Sequence, residues 1–325
     1  MHSDRWFFFR VEASYLIGFG HFKRTLAIAL KLSEQNRVCF FTESETVRDA
    51  CRKNRFLVIN CTDDSAGYST FINIYPNAKI EGIIIDTKSE YSINQVRELN
   101  AVFGNSFFIE NTSEGTKLAT YVVYPAAHFD YESVYGRLAV EVPHKKILAG
   151  PEFVIIRDEV KRHHATTGGG IVITTGGSDP CNVMQSLSNM ITTLEINANF
   201  LIGQNFDSIQ ANAKNTKFCQ YSNYSVPQIA SADIVICTFG VSVYEALFFR
   251  KPVISVAHNL ENAVGSKLLS KKYDMVADIG CYLDLSLDVL ENAISKFQKP
   301  SFQNNKSIID GGGVDRICEK IKNCV

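Results

Sequence analysis

The sequence predicts an α/β protein built from two doubly wound halves, each a parallel sheet covered by helices on both faces. Three observations carry this expectation. Short strands that are apolar on both sides recur along the chain, as in sheets buried on both faces. Segments rich in helix formers alternate with them. The alternation pauses once, in the polar and then glycine-rich stretch 157–170, and restarts beyond it.

In the first half, the aromatic and β-branched run 6–11 reads as a buried strand. A glycine turn around Gly18 and Gly20 follows, and 25–32 is rich in strong helix formers. Strands are expected at 37–42, 56–60 and 82–86, the last ending on the carboxylate of Asp86, and then at 106–110 and 121–124. Helices are expected at 45–54 and 96–103. His163 and His164 sit in the connecting stretch; neighbouring residues share no helix face and no other ligands accompany them, so a solvated linker is the reading there.

In the second half, strands are expected at 171–175, 199–203, 233–237 and 251–256, and helices at 182–193, from Val226 with Pro227 in the first turn, and at 243–249. A last helix follows Gly311, Gly312 and Gly313. The expected domains are 1–157, a linker 158–170, and 171–325, with the final helix able to pack back on the N-terminal domain.

A length of 325 residues suits two domains, and 46% hydrophobic with 21% charged residues describes a globular chain. The formal net charge of −1 gives no general affinity for nucleic acid or membrane surfaces, so any anion site must be local. No apolar run reaches the roughly 20 residues of a spanning helix, and the opening residues lack signal-peptide order. The nine cysteines form no C-x-x-C pair and several lie in apolar runs, as reduced buried thiols do. A cytoplasmic protein is expected, without membrane insertion or a nucleic-acid partner, and a monomer rather than an oligomer.

Three glycine-rich turns follow strands: Gly18 to His21, Gly176 to Ser178, and Gly240 to Ser242. Each joins backbone N–H groups to a helix N-terminus, which together attract an anion. The first is no dinucleotide fingerprint, because Lys23 stands where a third glycine should. His21, with Lys23 and Arg24 behind it, reads either as a reactive group facing an anion or as a hydrogen-bonded structural histidine. Glu245 reads either as a ribose-binding carboxylate or as an ordinary acid near a helix N-terminus. Doubly wound sheets bind ligands beyond the C-terminal ends of their strands. The ligand, a nucleotide diphosphate sugar, is therefore expected in a cleft, with the His21 loop facing the turns at Gly176 and Gly240.

The run Arg10-x-Glu12-x-Ser14-x-x-Ile17-Gly18-Phe19-Gly20-His21-x-x-Arg24 resembles the opening of the bacterial UDP-sugar hydrolases of pseudaminic acid biosynthesis. Spore-coat polysaccharide proteins and, more distantly, the lipid II N-acetylglucosaminyltransferase share that build. Four further stretches agree in order and spacing: 150–157, 175–180, 232–247 and 310–317. The resemblance implies a GT-B arrangement with UDP held mainly by the C-terminal domain. It places the catalytic histidine on His21, which would activate water for attack on the anomeric carbon, with inversion. It places the substrate on Arg10, Glu12, Gly18, Gly20 and Arg24, and on Gly176, Gly177, Ser178, Asp179, Gly240, Val241, Ser242, Glu245 and Asn259. It implies neither metal nor cofactor.

The chain departs from that family's pattern at Glu12, where aspartate is usual, at Glu110-Asn111, where paired aspartates are usual, and at Leu260, where glutamine is usual; Tyr91 matches only loosely. These departures fall mainly on the sugar-facing half. The leading expectation is a hydrolase releasing a free amino-deoxy sugar. A glycosyltransferase with an acceptor hydroxyl in place of water is the first alternative, and a nucleotide-sugar-binding protein without turnover the second.

Overall fold

The computed structural model describes residues 5–12, 20–135, 142–177, 179, 181–203, 216–299 and 308–324. The chain divides into two units, 158–311 and the remainder, 1–157 with 312–325.

The first unit is a parallel sheet of seven strands, ordered β3-β2-β1-β4-β5-β6-β7. These are β1 (Arg5–Val11), β2 (Arg37–Phe41), β3 (Leu57–Ile59), β4 (Lys79–Asp86), β5 (Ser106–Ile109), β6 (Tyr121–Tyr124) and β7 (Ile147–Ala149). The helices α1 (Gly20–Ser33), α2 (Glu45–Lys53), α3 (Asp64–Ile74), α4 (Ile93–Phe103) and α5 (Tyr131–Tyr135) connect them. Successive β1 side chains point to opposite faces. Phe7 and Phe9 enter one core with Ile28, Leu32 and Phe40, while Trp6 and Phe8 enter the other with Phe41, Phe71 and Phe103. This is why an uninterrupted aromatic run forms the central strand. The helix α3 is absent from the sequence expectation; Asp63 caps it, and Phe71 meets Phe8 edge to face at 4.7 Å between centroids.

In the second unit a short helix α6 (Asp158–Lys161) comes first. The parallel sheet has six strands, ordered β10-β9-β8-β11-β12-β13. They are β8 (Ile171–Thr174), β9 (Ala198–Ile202), β10 (Cys219–Asn223), β11 (Ile234–Thr238), β12 (Val253–Ala257) and β13 (Val276–Cys281). The helices are α7 (Val183–Thr193), α8 (Val226–Ser231), α9 (Val241–Phe248), α10 (Leu260–Lys272) and α11 (Leu287–Gln298). Ile173, Leu187, Phe200, Ile236, Ile254 and Leu290 belong to one apolar core here.

The expected linker and the last helix, which the sequence left able to pack back on the N-terminal domain, both lie within these units. The segment 158–170, expected as a linker, is bonded into the second unit. Gly168 and Gly170, both with left-handed φ, donate their N–H groups to the Asp233 carboxylate at 2.8 and 2.9 Å, and Thr166 N–H reaches the Ala230 carbonyl. The last helix, α12 (Gly313–Lys322), belongs to the first unit. Its Val314, Ile317, Cys318 and Ile321 lie in the same core as Ile28 and Leu32 of α1. A Cβ on Gly313 would stand 2.2 Å from the Val154 carbonyl oxygen, so only glycine permits that approach.

All nine cysteines are free thiols, with Cys39, Cys51, Cys219, Cys237 and Cys318 buried. Among the described residues no helix is long and apolar enough to cross a membrane.

Candidate active site

The first sheet changes its winding direction between β1 and β4: the chain runs outward through β2 and β3 on one side, and through β5 to β7 on the other. Such a switch point opens a crevice at the C-terminal ends of the strands. Helix α1 follows β1 there, and Asp86 is the last residue of β4.

His21, Arg24 and Thr25 occupy positions i, i+3 and i+4 of α1, which share one helix face. All three converge on the fully buried Asp86. Its Oδ1 lies 2.6 Å from His21 Nδ1 and 2.7 Å from Arg24 Nη2; its Oδ2 accepts from Arg24 Nε at 2.7 Å and from the Thr25 hydroxyl at 2.8 Å. Arg24 Nη1 also donates to Glu110 Oε2. Burial by itself would raise the Asp86 carboxyl, but the Arg24 charge and the hydrogen bonds from Arg24 and His21 outweigh it and hold it well below the usual carboxylate range. Glu110 is lowered in the same way, burial being overcome by Arg24.

This geometry fixes the histidine tautomer. Arg24 Nη2, 3.0 Å from His21 Nδ1, can only donate. Were Nδ1 to accept that bond, its lone pair would face the Asp86 oxygen at 2.6 Å. Nδ1 therefore carries the hydrogen and donates it to Asp86, leaving the lone pair of the neutral ring on Nε2. A histidine held so can take a proton from a nucleophile.

The other expected residues of this unit fare differently. Gly20 is the first residue of α1, while Gly18 lies outside the described residues. Arg24, expected on the substrate, has its guanidinium nitrogens engaged by Asp86 and Glu110. Arg10, also expected there, is buried and donates to the Cys61 and Thr62 carbonyls at 2.9 and 2.7 Å, with its Nε 3.8 Å from Asp64; it ties β1 to the loop before α3. Of the two cations, Arg24 holds the carboxylates beside His21, while Arg10 braces the loop before α3. Glu12 accepts from the Ser89 hydroxyl at 3.4 Å, and the Tyr91 hydroxyl donates to Asp64.

In the second unit the winding changes between β8 and β11, and the expected turns follow these two strands. Thr238 Oγ1 donates to the Thr175 carbonyl at 3.0 Å, tying their ends together. Gly176 has a left-handed φ of 86°, and a Cβ on it would lie 3.8 Å from Ser242 Oγ, so the Gly176-Gly177 turn adjoins the first turn of α9. Gly240 precedes α9 and no side chain caps that helix, so its first N–H groups suit an anion. Gly203, just after β9, supports the turn from beneath: a Cβ there would stand 2.2 Å from the Gly176 carbonyl oxygen. Ser178 lies outside the described residues.

Asp179, expected to bind substrate, instead caps α7, accepting from the Val183 and Met184 N–H groups at 2.9 and 2.8 Å. Burial raises its carboxyl against the pull of those bonds. Glu245 is buried at 2% exposure and accepts from the Tyr224 hydroxyl at 2.5 Å. Asn259 caps α10 through its Oδ1, which accepts from Asn262 N–H at 2.8 Å; its exposed amide nitrogen is the group able to meet a ligand. Among the described residues no three His, Cys, Asp or Glu side chains gather as a metal site.

No family model matches the chain. It is 27% identical over 276 residues to an uncharacterized protein of Methanocaldococcus jannaschii, covering 76% of this chain and 54% of that protein, so the chain spans about half the length of that relative. Solved structures with the same architecture include a glycotransferase of kitacinnamycin (TM-score 0.62, 11% identity, 99% and 96% of the two chains) and Acinetobacter baumannii MurG (0.60, 12%, 98% and 99%). The UDP-GlcNAc 2-epimerase of Neisseria meningitidis, bound to UDP-GlcNAc, is another (0.58, 10%, 98% and 99%). The fold is GT-B.

Within the GT-B fold, sequence reasoning noted Asp86 only as a strand end. Gly203 is visible there only as a strand end, and Tyr224 carries no motif of its own. Thr25 was visible only as a helix residue.

Proposed function

We propose that the chain displaces UDP from a UDP-sugar by an oxygen nucleophile, with His21 as the general base and Asp86 as its orienting partner. The observation that carries this reading is the His21–Asp86 pair at the switch point of the first sheet, at 2.6 Å. The nucleophile's O–H proton passes to His21 Nε2, its oxygen bonds the anomeric carbon, and the bond from that carbon to the diphosphate oxygen breaks. UDP leaves as a stable anion, so the reaction needs no strong general acid. In the second unit the α9 N-terminus and the Gly176-Gly177 turn suit a diphosphate, and Glu245 suits a ribose.

An acceptor hydroxyl is the nucleophile this reading favours, because a neighbour of the same fold is the kitacinnamycin glycotransferase. A second reading takes water as the nucleophile. It is favoured by the motif around Gly18, Gly20, His21 and Arg24, which resembles the UDP-sugar hydrolases of pseudaminic acid biosynthesis and suggests an amino-deoxy sugar.

The test is UDP release from a panel of UDP-N-acetyl and UDP-2,4-diamino sugars, with and without added acceptor alcohols. Release that needs an acceptor supports transfer, release without one supports hydrolysis, and binding without release under either condition overturns both.

A further inference from the structure

Glu110 stands just past β5 with a left-handed φ of 46°. Three of the other non-glycine residues in that region, Arg55, Glu195 and Arg250, each follow the last turn of a helix, where left-handed backbone is ordinary. The fourth, Asn182, is of the type that tolerates it. Glu110 has neither excuse: it ends a strand, and a β-carbon there is crowded.

Its neighbours hold it in place. Its N–H donates to the Val123 carbonyl at 2.9 Å. The next residue, the buried Asn111, donates to the Thr87 and Ser89 carbonyls at 3.2 and 2.9 Å, fastening the end of β5 to the segment that follows Asp86. The Glu110 side chain thereby reaches Arg24, which takes Oε2. Oε1 has no hydrogen-bond partner among the described residues, and the side chain is 30% exposed. Backbone strain next to a reactive pair, supporting a carboxylate with one oxygen engaged and one available, is the pattern of a residue positioned for a ligand.

We propose that Glu110 is a substrate-contacting residue whose Oε1 accepts a hydrogen bond from a hydroxyl or amide N–H of the sugar carried by UDP. This rests on the UDP-sugar reading of the site. Arg24 presets the carboxylate, so the same guanidinium that steadies Asp86 behind His21 aims the sugar contact. The donor sugar is then recognised on the first unit by a fixed anion rather than by a mobile side chain.

The experiment compares wild type, Glu110→Ala and Glu110→Gly for calorimetric affinity towards UDP and towards the UDP-sugar most readily turned over or bound. Both variants are expected to keep wild-type affinity for UDP and to weaken UDP-sugar binding by about tenfold or more, the usual worth of a hydrogen bond to a charged group. Glu110→Gly is expected to melt a few degrees above Glu110→Ala, because glycine accepts the left-handed backbone. Unchanged UDP-sugar affinity in both variants, with only turnover reduced, overturns the sugar contact and leaves Glu110 acting solely through Arg24. A wild-type protein that binds UDP-sugars no better than unrelated nucleotides overturns the UDP-sugar reading, and this proposal with it.

Discussion

Asp86 Oδ1 meets His21 Nδ1 at 2.6 Å although 65 residues separate them. The meeting is made by topology: β1 pairs directly with β4, Val11 standing opposite Asp86, and α1 leaves β1 at that edge. The hydrogen bond fixes one tautomer of an imidazole whose second nitrogen is then basic.

Replacing that imidazole should separate chemistry from binding. His21→Ala is expected to slow UDP release by roughly 10²–10⁴-fold, the common worth of a general base, while UDP affinity stays near wild type. Turnover within a fewfold of wild type would remove His21 from the reaction.

Acid should loosen the wild-type fold through Asp86. Its folded carboxyl is held below the usual range, whereas the unfolded one titrates at about 3.9. The stabilisation it contributes is whole above that unfolded value and is lost as pH falls through it towards the lower folded one. Glu110 shares the sign, while Asp64 and Asp179, raised by burial, have the opposite sign. Urea unfolding of wild type and Asp86→Asn between pH 7 and 3 is expected to show the steeper acid loss in wild type. Parallel curves would mean that the buried carboxylate adds nothing net.

Gly203→Ala tests the floor of the second unit's turn. The added methyl would overlap the Gly176 carbonyl, and relief requires the turn to shift. A stability loss of about 1–3 kcal/mol is expected, as for other overpacked sites, together with weaker UDP binding in calorimetry. Wild-type UDP affinity would show that the turn does not serve the nucleotide.

Ile317→Ala tests the attachment of α12. Ile317 is fully buried in the core shared with Ile28 and Leu32. Its truncation is expected to cost about 2–5 kcal/mol, a large part of an ordinary domain's stability, read as a fall in the denaturant midpoint. A loss below about 1 kcal/mol would assign the helix a peripheral role.

Much of the fold was legible because its strands are apolar on both sides and its turns carry glycine. Helix α3 was not, because Ser65, Gly67, Ser69 and Thr70 are poor helix formers; Phe71, packed on Trp6 and Phe8, holds it by tertiary contact. His21 stood out beside its glycines, but its partner could not, since no local pattern states that β1 lies next to β4. Arg10 and Arg24 looked like anion ligands because charge is visible in a sequence and the groups that neutralise it are not. The carbonyls of Cys61 and Thr62 and the carboxylates of Asp86 and Glu110 meet these cations only after folding. Asp179 and Asn259 accept the first N–H groups of helices, and helix caps draw on the same residue types as ligand contacts.

The return of α12 to the first unit has a consequence for how the protein is made. The chain leaves that unit at Arg157 and re-enters it at Gly312. A ribosome therefore finishes the whole second unit while the first still lacks a wall, and the surface around Ile28 and Leu32 stays open until residues 313–322 emerge. The unit begun first is completed last, and a nascent chain that has passed Leu32 leaves that surface uncovered until the last helix is made.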